Sequence, residues 1–295
     1  MRVKVLGTGL SGLVGSRIVE LLKNEFEFDD LSFEKGFDIT RPETIETKIA
    51  LSDASSLLHL AAFTDVGGAW REKGDKKGNC YKINVFGTAN IARLCKKYKK
   101  YLIHFSTDFV FDGEKDEPYL EEDKPNPIDW YGQTKLWSEE EVKNSGARFS
   151  IIRIAFPFRA GYVLKKDLVQ KLIDGFKSGN LYPQFADEII TPTFVDDIAL
   201  GVKTFLDKKP EGIFHLTGSS FVSPYELAKK VASVFGFDET LVKKGSLYEY
   251  LKNNPESRPY PKCLKISTQK IKKELNIETK KIDEAILILK SQMFS

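Results

Sequence analysis

The sequence contains few of the residues that build disulfide frameworks and metal centres. Its 295 residues include only three cysteines and three histidines. The cysteines, Cys80, Cys95 and Cys263, are too widely spaced for a disulfide framework or a set of metal ligands. We therefore expect no metal site, and we expect the thiols to stay reduced, as they do in the cytoplasm.

The sequence also lacks a large charge of one sign and a long apolar run. A formal net charge of +3 is too small to indicate nucleic acid or a membrane surface as a partner. No apolar stretch is long enough to span a bilayer, and no signal-peptide pattern precedes the first strand. The contents of 41% hydrophobic and 29% charged residues are typical of a soluble globular protein. We expect a cytoplasmic protein that is a monomer or homodimer.

A glycine-rich turn after the first strand is the most informative feature that the sequence does contain. The β-branched Val3 and Val5 open an apolar run, glycines follow at positions 7, 9, 12 and 15, and a helix-like stretch comes next. Glycines let the backbone turn tightly and approach phosphates, and the following helix N-terminus offers unpaired N–H groups. An ordinary strand–helix turn is the alternative, but the position favours a site for a dinucleotide pyrophosphate.

Strands and helices alternate through the first half of the chain. Apolar runs predict strands within 26–34, 56–62, 101–106 and 150–154, and helical spacing predicts helices near 11–24, 81–98 and 131–143, with a loop over 67–79. A further helix is expected after Asp38, with Thr40 as its cap and Pro42 in its first turn. The alternation indicates an α/β fold with a doubly wound parallel sheet of the Rossmann type.

The pattern changes after Pro157. Helical spacing at 163–178, 223–235, 266–274 and 281–291 is interrupted by short extended pieces that contain proline. We interpret residues 1–157 as a dinucleotide-binding domain and residues 158–295 as a smaller, mainly helical substrate-binding lobe. A strand near 211–217 can return to the main sheet.

Two polar segments of the alternating region carry candidate catalytic groups. The strand near 101–106 ends in Ser106-Thr107-Asp108, which places hydroxyls at the edge where a Rossmann-type sheet binds ligands. The segment Tyr131-Gly-Gln-Thr-Lys135 puts a phenol and an ammonium four residues apart on one helical face. Because a cation favours the phenolate, we expect Lys135 to lower the pKa of Tyr131 and make it a general acid.

The spacing of this pair is not specific by itself. The same Tyr–Lys spacing recurs at Tyr162/Lys166, Tyr225/Lys229 and Tyr248/Lys252. Tyr131 and Lys135 differ from these pairs because they lie in the alternating region, shortly after a strand end that bears hydroxyls. Their context, rather than their spacing, supports the catalytic interpretation.

Together these motifs resemble the extended short-chain dehydrogenase/reductases. The sequence is most similar to the dTDP-4-dehydrorhamnose reductase group of that family, through Asp38-Ile39-Thr40, Ala61-Ala62-Phe63-Thr64 and Ser106-Thr107-Asp108-Phe109-Val110-Phe111. The resemblance covers almost the whole chain and weakens after about residue 240. It implies a nicotinamide cofactor and a nucleotide-sugar substrate.

The resemblance also implies roles for individual residues. Those of the cofactor site are Gly9, Leu10, Ser11, Gly12, Leu13 and Gly15 at the pyrophosphate, Asp38 and Ile39 near the adenine, and Ala61, Ala62, Phe63 and Asn84 along the groove. Thr107 would hydrogen-bond the substrate carbonyl, Tyr131 would deliver the proton, and Lys135 would hold the nicotinamide ribose. The implied substrate-binding residues are Val66, Asp108, Phe109 and Arg258, the last on the diphosphate; an exposed loop arginine is the alternative for Arg258.

Choice between NAD and NADP depends on the residue that meets the adenine ribose. An acidic residue about 20 positions beyond the glycines would grip the ribose 2′-hydroxyl of NAD. Glu34 is the first candidate, and Asp29 and Asp30 are its rivals. Lys35 would accommodate a 2′-phosphate, so the sequence favours NAD(H) only weakly over NADP(H).

Other enzyme activities in this family need other residues at the active site. Dehydratases carry a glutamate where this chain has Phe109, so elimination of water is not expected. His59 and His104 lie in apolar strands, and Cys80 and Cys95 lie on a helix, so we interpret all four as buried structural residues. The sequence therefore predicts an NAD(P)H-dependent reductase of a nucleotide-linked 4-keto-6-deoxy sugar. A 4-epimerase with tightly bound NAD and a non-catalytic regulatory subunit are the alternatives.

Overall fold

A six-stranded parallel sheet forms the centre of the molecule in the computed structural model, which describes residues 2–294. The strands within these residues are β1 Val3–Thr8, β2 Phe26–Asp30, β3 Ser56–His59, β4 Tyr101–Thr107, β5 Phe149–Ile154, β6 Pro157–Phe158, β7 Gln184–Phe185, β8 Thr193–Phe194, β9 Gly212–His215 and β10 Lys244–Gly245. The central sheet has the order β2-β1-β3-β4-β5-β9 with parallel pairing throughout. The doubly wound parallel sheet is confirmed, and the segment near 211–217 does return to it as β9.

Helices cover both faces of the sheet and build most of the rest of the chain. They are α1 Leu13–Leu22, α2 Glu46–Leu51, α3 Val66–Arg71, α4 Asn79–Tyr81, α5 Thr88–Lys97, α6 Trp130–Asn144, α7 Leu168–Ser178, α8 Val195–Lys208, α9 Pro224–Phe235, α10 Leu247–Asn253 and α11 Ile282–Phe294. A π-helical turn, Lys82–Gly87, joins α4 to α5, and a second one covers Ile271–Leu275. Short 3-10 turns lie at Phe33–Lys35, Pro42–Thr44, Asp108–Val110 and Glu239–Leu241.

Successive side chains of the buried strands point to opposite faces of the sheet, so the core has two layers. Leu58 packs on one face with side chains of α1 and α8, whereas Leu57 packs on the other face with side chains of α2, α5 and α6. Every residue of β3 and β4 is buried, which is why both segments read as nearly continuous apolar runs. A third apolar cluster lies outside the sheet, among α7, α9 and α11. Assignment of residues 158–295 to a substrate-binding lobe stays a proposal.

Several local expectations differ from the structure. The loop predicted over 67–79 contains α3, because Asp65 caps this helix by accepting a hydrogen bond from the backbone N–H of Gly68. Thr40 does not cap a helix; its hydroxyl donates to the Asp38 carboxylate instead. The helix α8 was not predicted at all, and the pattern at 266–274 gives only the π-helical turn.

Topology places the ligand site. The chain leaves β1 for β2 on one side and then crosses to β3 on the other, so a crevice opens where β1 and β3 end. Within residues 2–294, no helix has the length and apolarity needed to cross a membrane.

Candidate active site

The glycine turn forms a narrow backbone cradle at the end of β1. Gly9 has φ +68°, and a Cβ there would lie 2.6 Å from the backbone nitrogen of Ala61, at the end of β3. A Cβ on Gly15 would lie 2.4 Å from the carbonyl oxygen of Gly9. Gly12 is the N-cap of α1 and offers no side-chain cap, so the first N–H groups of this helix face the cradle without a partner from that residue. These features fit the pyrophosphate of a dinucleotide.

The flanking residues of the turn play different parts. Leu10 is buried and anchors the turn, whereas Ser11 is exposed at its tip. Leu13 is the first residue of α1. The Tyr162 hydroxyl donates to the backbone oxygen of Ser11 at 3.3 Å, so the segment after β6 reaches over the cradle.

Asn84 fixes the wall of the groove rather than presenting a free amide to it. The side-chain oxygen of Asn84 accepts from the backbone N–H of Phe63 at 2.8 Å, and its amide donates to the Phe63 carbonyl at 3.2 Å and to Thr134 at 3.0 Å. This clamp holds the segment Ala61-Ala62-Phe63 against the helices. The π-helical turn that carries Asn84 is a feature often found at functional sites.

Asp30 lies at the carboxyl end of β2, where the adenine ribose of a dinucleotide is expected. One of its carboxylate oxygens is buried without a hydrogen-bond partner, and the other accepts from Ser32 at 3.2 Å and lies 3.3 Å from the Lys35 ammonium. Glu34 is exposed on the following 3-10 turn. The structure therefore favours Asp30 over Glu34 as the acidic residue of the ribose site.

Ile39 and Asp38 close this end of the groove. Ile39 is buried against Gly87, where a Cβ would lie 2.6 Å from the Ile39 side chain. The Asp38 carboxylate accepts from the backbone N–H and hydroxyl of Thr40, at 2.9 and 2.7 Å. Asp38 thus shapes its own turn.

The two oxygens expected to act on a substrate carbonyl come together. Thr107 ends β4, and Tyr131 lies in the first turn of α6, which Asp129 caps by accepting from the N–H of Gly132 at 2.7 Å. The Thr107 hydroxyl lies near the Tyr131 phenol, donates to the Asp108 carboxylate at 3.0 Å and accepts from the backbone N–H of Phe109 at 3.3 Å. The end of β4 and the start of α6 thus carry one polar cluster.

Lys135 lies one helical turn further along α6 and is buried. Its ammonium donates to the Phe105 carbonyl at 2.7 Å, and burial lowers its pKa to about 8. Beneath it, the Arg153 guanidinium donates to both oxygens of Glu139, at 2.9 and 2.8 Å, and Ser106 donates to the same carboxylate at 2.6 Å. This fully buried pair fixes the strand and helix that carry the catalytic candidates.

The predicted effect of Lys135 on Tyr131 was wrong. Burial raises the pKa of the phenol, the neighbouring Asp108 carboxyl raises it further, and contact with the Thr107 hydroxyl opposes the rise. Lys135 is not among the main groups that shift this pKa, and its ammonium donates to the Phe105 carbonyl instead. The phenol therefore keeps its proton at neutral pH.

The histidines and cysteines flagged in the sequence are structural. His59 bridges Thr8 and Thr88, at 2.7 and 3.0 Å, and burial lowers its pKa to about 3. Burial also lowers the pKa of His104 and raises those of the Cys80 and Cys95 thiols to about 11 and about 12. None of these four groups carries a charge at neutral pH. Among residues 2–294 there is no cluster of three or more His, Cys, Asp or Glu suited to a metal.

Arg258 lies near the polar cluster at the start of α6, through contacts with Asp129 and Phe109. Its guanidinium sits 3.7 Å from the ring centre of Tyr260 and 5.4 Å from that of Phe109, and it donates to Asp129 at 3.4 Å. Phe109 in turn packs edge-on against the Tyr131 ring, with centroids 5.8 Å apart. Val66, the remaining substrate-binding candidate, is the half-buried first residue of α3.

Some residues of the site were missed in the sequence. Asp129 could have been found, since an aspartate directly before a predicted helix is a common N-cap. Glu188 and Tyr260 gave no such signal. Burial raises the pKa of Glu188 to about 7, and Arg258 opposes this rise from a distant part of the chain.

Comparison with known proteins shows the family to which the chain belongs. The family described as the RmlD substrate binding domain matches residues 2–292. The chain belongs to this family. It is 30% identical to the "Probable low-salt glycan biosynthesis reductase Agl14" of Haloferax volcanii, over 88% of this chain and 89% of the relative. It is 28% identical to the methionine adenosyltransferase 2 subunit beta of Bos taurus, over 79% of this chain and 72% of the relative.

Solved structures share the fold over nearly the full length. A dTDP-4-dehydrorhamnose reductase from Clostridium acetobutylicum has a TM-score of 0.89 at 26% identity, with 99% of this chain and 100% of that chain covered. The Bacillus anthracis dTDP-4-dehydrorhamnose reductase, solved in complex with NADP, has a TM-score of 0.90 at 24% identity and the same coverage. These matches confirm the resemblance to the dTDP-4-dehydrorhamnose reductase group.

Proposed function

We propose that this protein reduces the 4-keto group of a nucleotide-linked 6-deoxy sugar with NADH or NADPH, and that dTDP-4-dehydrorhamnose is the first substrate to test. The observation that carries the proposal is the meeting of Thr107, Tyr131 and Asp108 at the end of β4, beside a glycine cradle that fits a dinucleotide. Relatives that are named as reductases over nearly the whole chain length support it.

Reduction needs a hydride donor, a proton donor and a group that polarises the carbonyl. A nicotinamide dinucleotide supplies the hydride when it is bound. The Thr107 hydroxyl would donate to the substrate carbonyl oxygen, and Tyr131 would protonate that oxygen as it becomes an alkoxide. A phenol whose pKa is raised suits this task, because an alkoxide is a stronger base than the phenolate.

Lys135 and the groove residues would hold the cofactor. With a pKa of about 8, Lys135 is mostly protonated at neutral pH and can donate to ribose hydroxyls as well as to Phe105. Gly9, Gly12 and Gly15 leave room for the pyrophosphate. Arg258 offers a planar guanidinium, which suits the diphosphate of a nucleotide sugar.

The choice of dinucleotide follows from the pairing of Asp30 with Lys35. Asp30 would accept from the 2′-hydroxyl of NAD(H), whereas Lys35 can leave Asp30 and meet a 2′-phosphate. We propose that both cofactors are accepted, with NAD(H) weakly preferred. Removal of the cation in Lys35→Ala should reduce kcat/KM for NADPH more than for NADH, and an equal loss for both would contradict this assignment.

The experiment that tests the reductase proposal is a panel of nucleotide-linked 4-keto sugars with NADH and with NADPH, followed by the absorbance of the reduced cofactor. We expect oxidation of the cofactor with at least one 4-keto-6-deoxy sugar. No oxidation with any member of the panel would contradict the proposal. A purified protein that carries stoichiometric nicotinamide would favour the 4-epimerase instead.

A non-catalytic subunit is the second candidate function. The similarity to a protein named as the beta subunit of methionine adenosyltransferase 2 favours it. The intact set of Thr107, Tyr131 and Lys135 favours catalysis. Stable co-purification with another enzyme, together with failure of the substrate panel, would reverse this ranking.

Location and assembly are also proposals. We propose a cytoplasmic enzyme that works as a monomer or homodimer. Size-exclusion chromatography with light scattering distinguishes these two states from higher oligomers.

A further inference from the structure

A short surface segment, residues 161–165, crosses the crevice that would hold the dinucleotide, and we call it the strap. The Tyr162 hydroxyl donates to the backbone oxygen of Ser11, at the tip of the glycine turn after β1, at 3.3 Å. The Lys165 ammonium donates to the backbone oxygen and to the hydroxyl of Thr64, in the segment after β3, at 2.9 and 2.8 Å. Because the crevice opens where β1 and β3 end, these contacts lie on its two sides.

The chain before the strap is fixed to the helix that follows the glycine turn. Arg159 is buried, and its guanidinium donates to the Ser16 hydroxyl at 3.1 Å and to the Glu20 carboxylate at 2.8 Å, both on α1. The beginning of the strap therefore keeps its place relative to the cradle.

The chain after the strap is fixed to α7. Asp167 caps this helix by accepting from the backbone N–H of Gln170 at 2.8 Å, and Lys166 lies 2.6 Å from the Asp174 carboxylate one turn further on. The Asp167 carboxylate also accepts from the backbone N–H of Arg159 at 3.2 Å. The two ends of the strap are thus held together, and only the part between them is free to swing.

That part is held loosely. Among residues 2–294, no group accepts from a backbone N–H of residues 161–165. Gly161 has φ +71°, and a Cβ there would meet nothing within 4 Å. Val163 and Leu164 are 85% and 78% exposed, so they bury almost no apolar surface. Since the Tyr162 and Lys165 contacts lie at the surface, water can replace them at a low free-energy cost, and a segment held in this way opens readily.

We propose that the strap passes over the bound dinucleotide and opens each time the dinucleotide enters or leaves, with Tyr162 and Lys165 as its two latches. The proposal rests on the dinucleotide-dependent function proposed above. Ser11 belongs to the turn that would hold the pyrophosphate, and Thr64 follows the groove segment Ala61-Ala62-Phe63. A reductase exchanges its dinucleotide in every turnover, so the strap would open once in each cycle.

A latch has a kinetic signature that a direct contact with the ligand lacks. Tyr162 and Lys165 bind other groups of the protein, so their bonds hold the strap whether or not a dinucleotide lies beneath it. Loss of a latch therefore speeds entry and exit alike and leaves Kd almost unchanged. Loss of a residue that binds the dinucleotide itself raises the dissociation rate constant and Kd together.

Stopped-flow fluorescence measures both rates with NADH or NADPH, whichever the wild-type protein binds more tightly. Association follows mixing of the protein with the reduced dinucleotide, and dissociation follows mixing of the complex with an excess of the oxidised form. We expect both rate constants to rise about threefold or more in Tyr162→Phe and in Lys165→Met, and about tenfold or more in the double variant, because each change removes a hydrogen-bonded latch. Kd should stay within about twofold of that of wild type.

Two further variants control for a general disturbance of the surface. Lys165→Arg keeps a cation that can donate to Thr64, so both rate constants should stay near those of wild type. Lys229→Met removes a bond of the same kind outside the crevice, from the ammonium to the backbone oxygen of Glu239 at 2.8 Å, and should change neither rate constant.

Unchanged rate constants in the double variant would overturn the strap. A rise in the dissociation rate constant without a rise in the association rate constant would also overturn it, because Tyr162 or Lys165 would then bind the dinucleotide itself. In both cases a wild-type protein that binds a dinucleotide and reduces a keto sugar leaves the reductase proposal standing. A wild-type protein that binds neither NADH nor NADPH overturns both proposals.

Discussion

Substitution of Gly15 by alanine tests the cradle most sharply. A Cβ at this position would lie 2.4 Å from the Gly9 carbonyl oxygen and 2.7 Å from the Leu10 Cα. Both neighbours are backbone atoms, so no side-chain rotation relieves the contact. An ordinary van der Waals separation needs about 1 Å more space, which the turn can supply only by opening.

The size of the effect follows from this displacement. Overpacking of this kind costs about 1–3 kcal/mol. Because the glycine turn would bind the pyrophosphate, this cost reduces the binding free energy of the dinucleotide. The affinity should fall by roughly ten- to a hundredfold, since every 1.4 kcal/mol is about tenfold in Kd. Calorimetric titration of the purified protein with NADH and NADPH measures this directly.

Gly67→Ala is the matched control. A Cβ there meets only side-chain atoms at 3.6 and 4.0 Å, at an exposed position of the short helix α3. We expect Gly67→Ala to leave both dissociation constants unchanged. A Gly15→Ala protein that is folded and binds both dinucleotides as wild type does would refute the assignment of the glycine turn to the pyrophosphate.

Two further predictions concern the buried groups beneath the site. Arg153→Met should lower the free energy of unfolding in urea by about 3–5 kcal/mol, because it leaves the Glu139 carboxylate buried without its bidentate partner. The control is Arg148→Met, which breaks the exposed ion pair between Arg148 and Glu211 and should cost under about 1 kcal/mol. An equal cost for both variants would contradict this reasoning. The pKa of about 3 for folded His59 lies below its unfolded value of about 6.5. His59 therefore binds a proton in the unfolded chain but not in the folded chain. The free energy of unfolding thus decreases progressively as pH falls below about 6.5. Urea unfolding of His59→Gln should show a shallower loss of stability between pH 6.5 and pH 4 than wild type, and parallel curves would count against a neutral buried His59.

Much of the fold could be predicted because it depends on local patterns. The apolar runs that became β3 and β4 are buried on both faces, so their sequence carries the signal without alternation. The helix α8 was not predicted, and its first turn contains two buried aspartates. Asp196 is held by Arg17 of α1, and Asp197 by Lys280, contacts that no local pattern reveals.

In the candidate site too, local sequence patterns predict positions but not contacts between distant parts of the chain. Thr107 could be placed at the ligand-binding edge because it ends a parallel strand, and Tyr131 because the helix that carries it follows that strand in the chain. The pKa of Tyr131 could not be predicted, since it depends on burial of the phenol, which packs against Phe109, and on the charge of Asp108. The contact between Arg258 and Asp129 joins residues that are 129 positions apart, so its geometry is a property of the folded chain alone.

Turnover of Tyr131→Phe with a reducible 4-keto sugar tests the central claim most directly. Loss of the phenol proton should lower kcat by about a hundredfold or more while the Kd for NADH stays near that of wild type. Tyr225→Phe removes a phenol with the same spacing to a lysine, Lys229, and should leave kcat unchanged. A Tyr131→Phe enzyme that turns over as fast as wild type would contradict the assignment of Tyr131 as the proton donor.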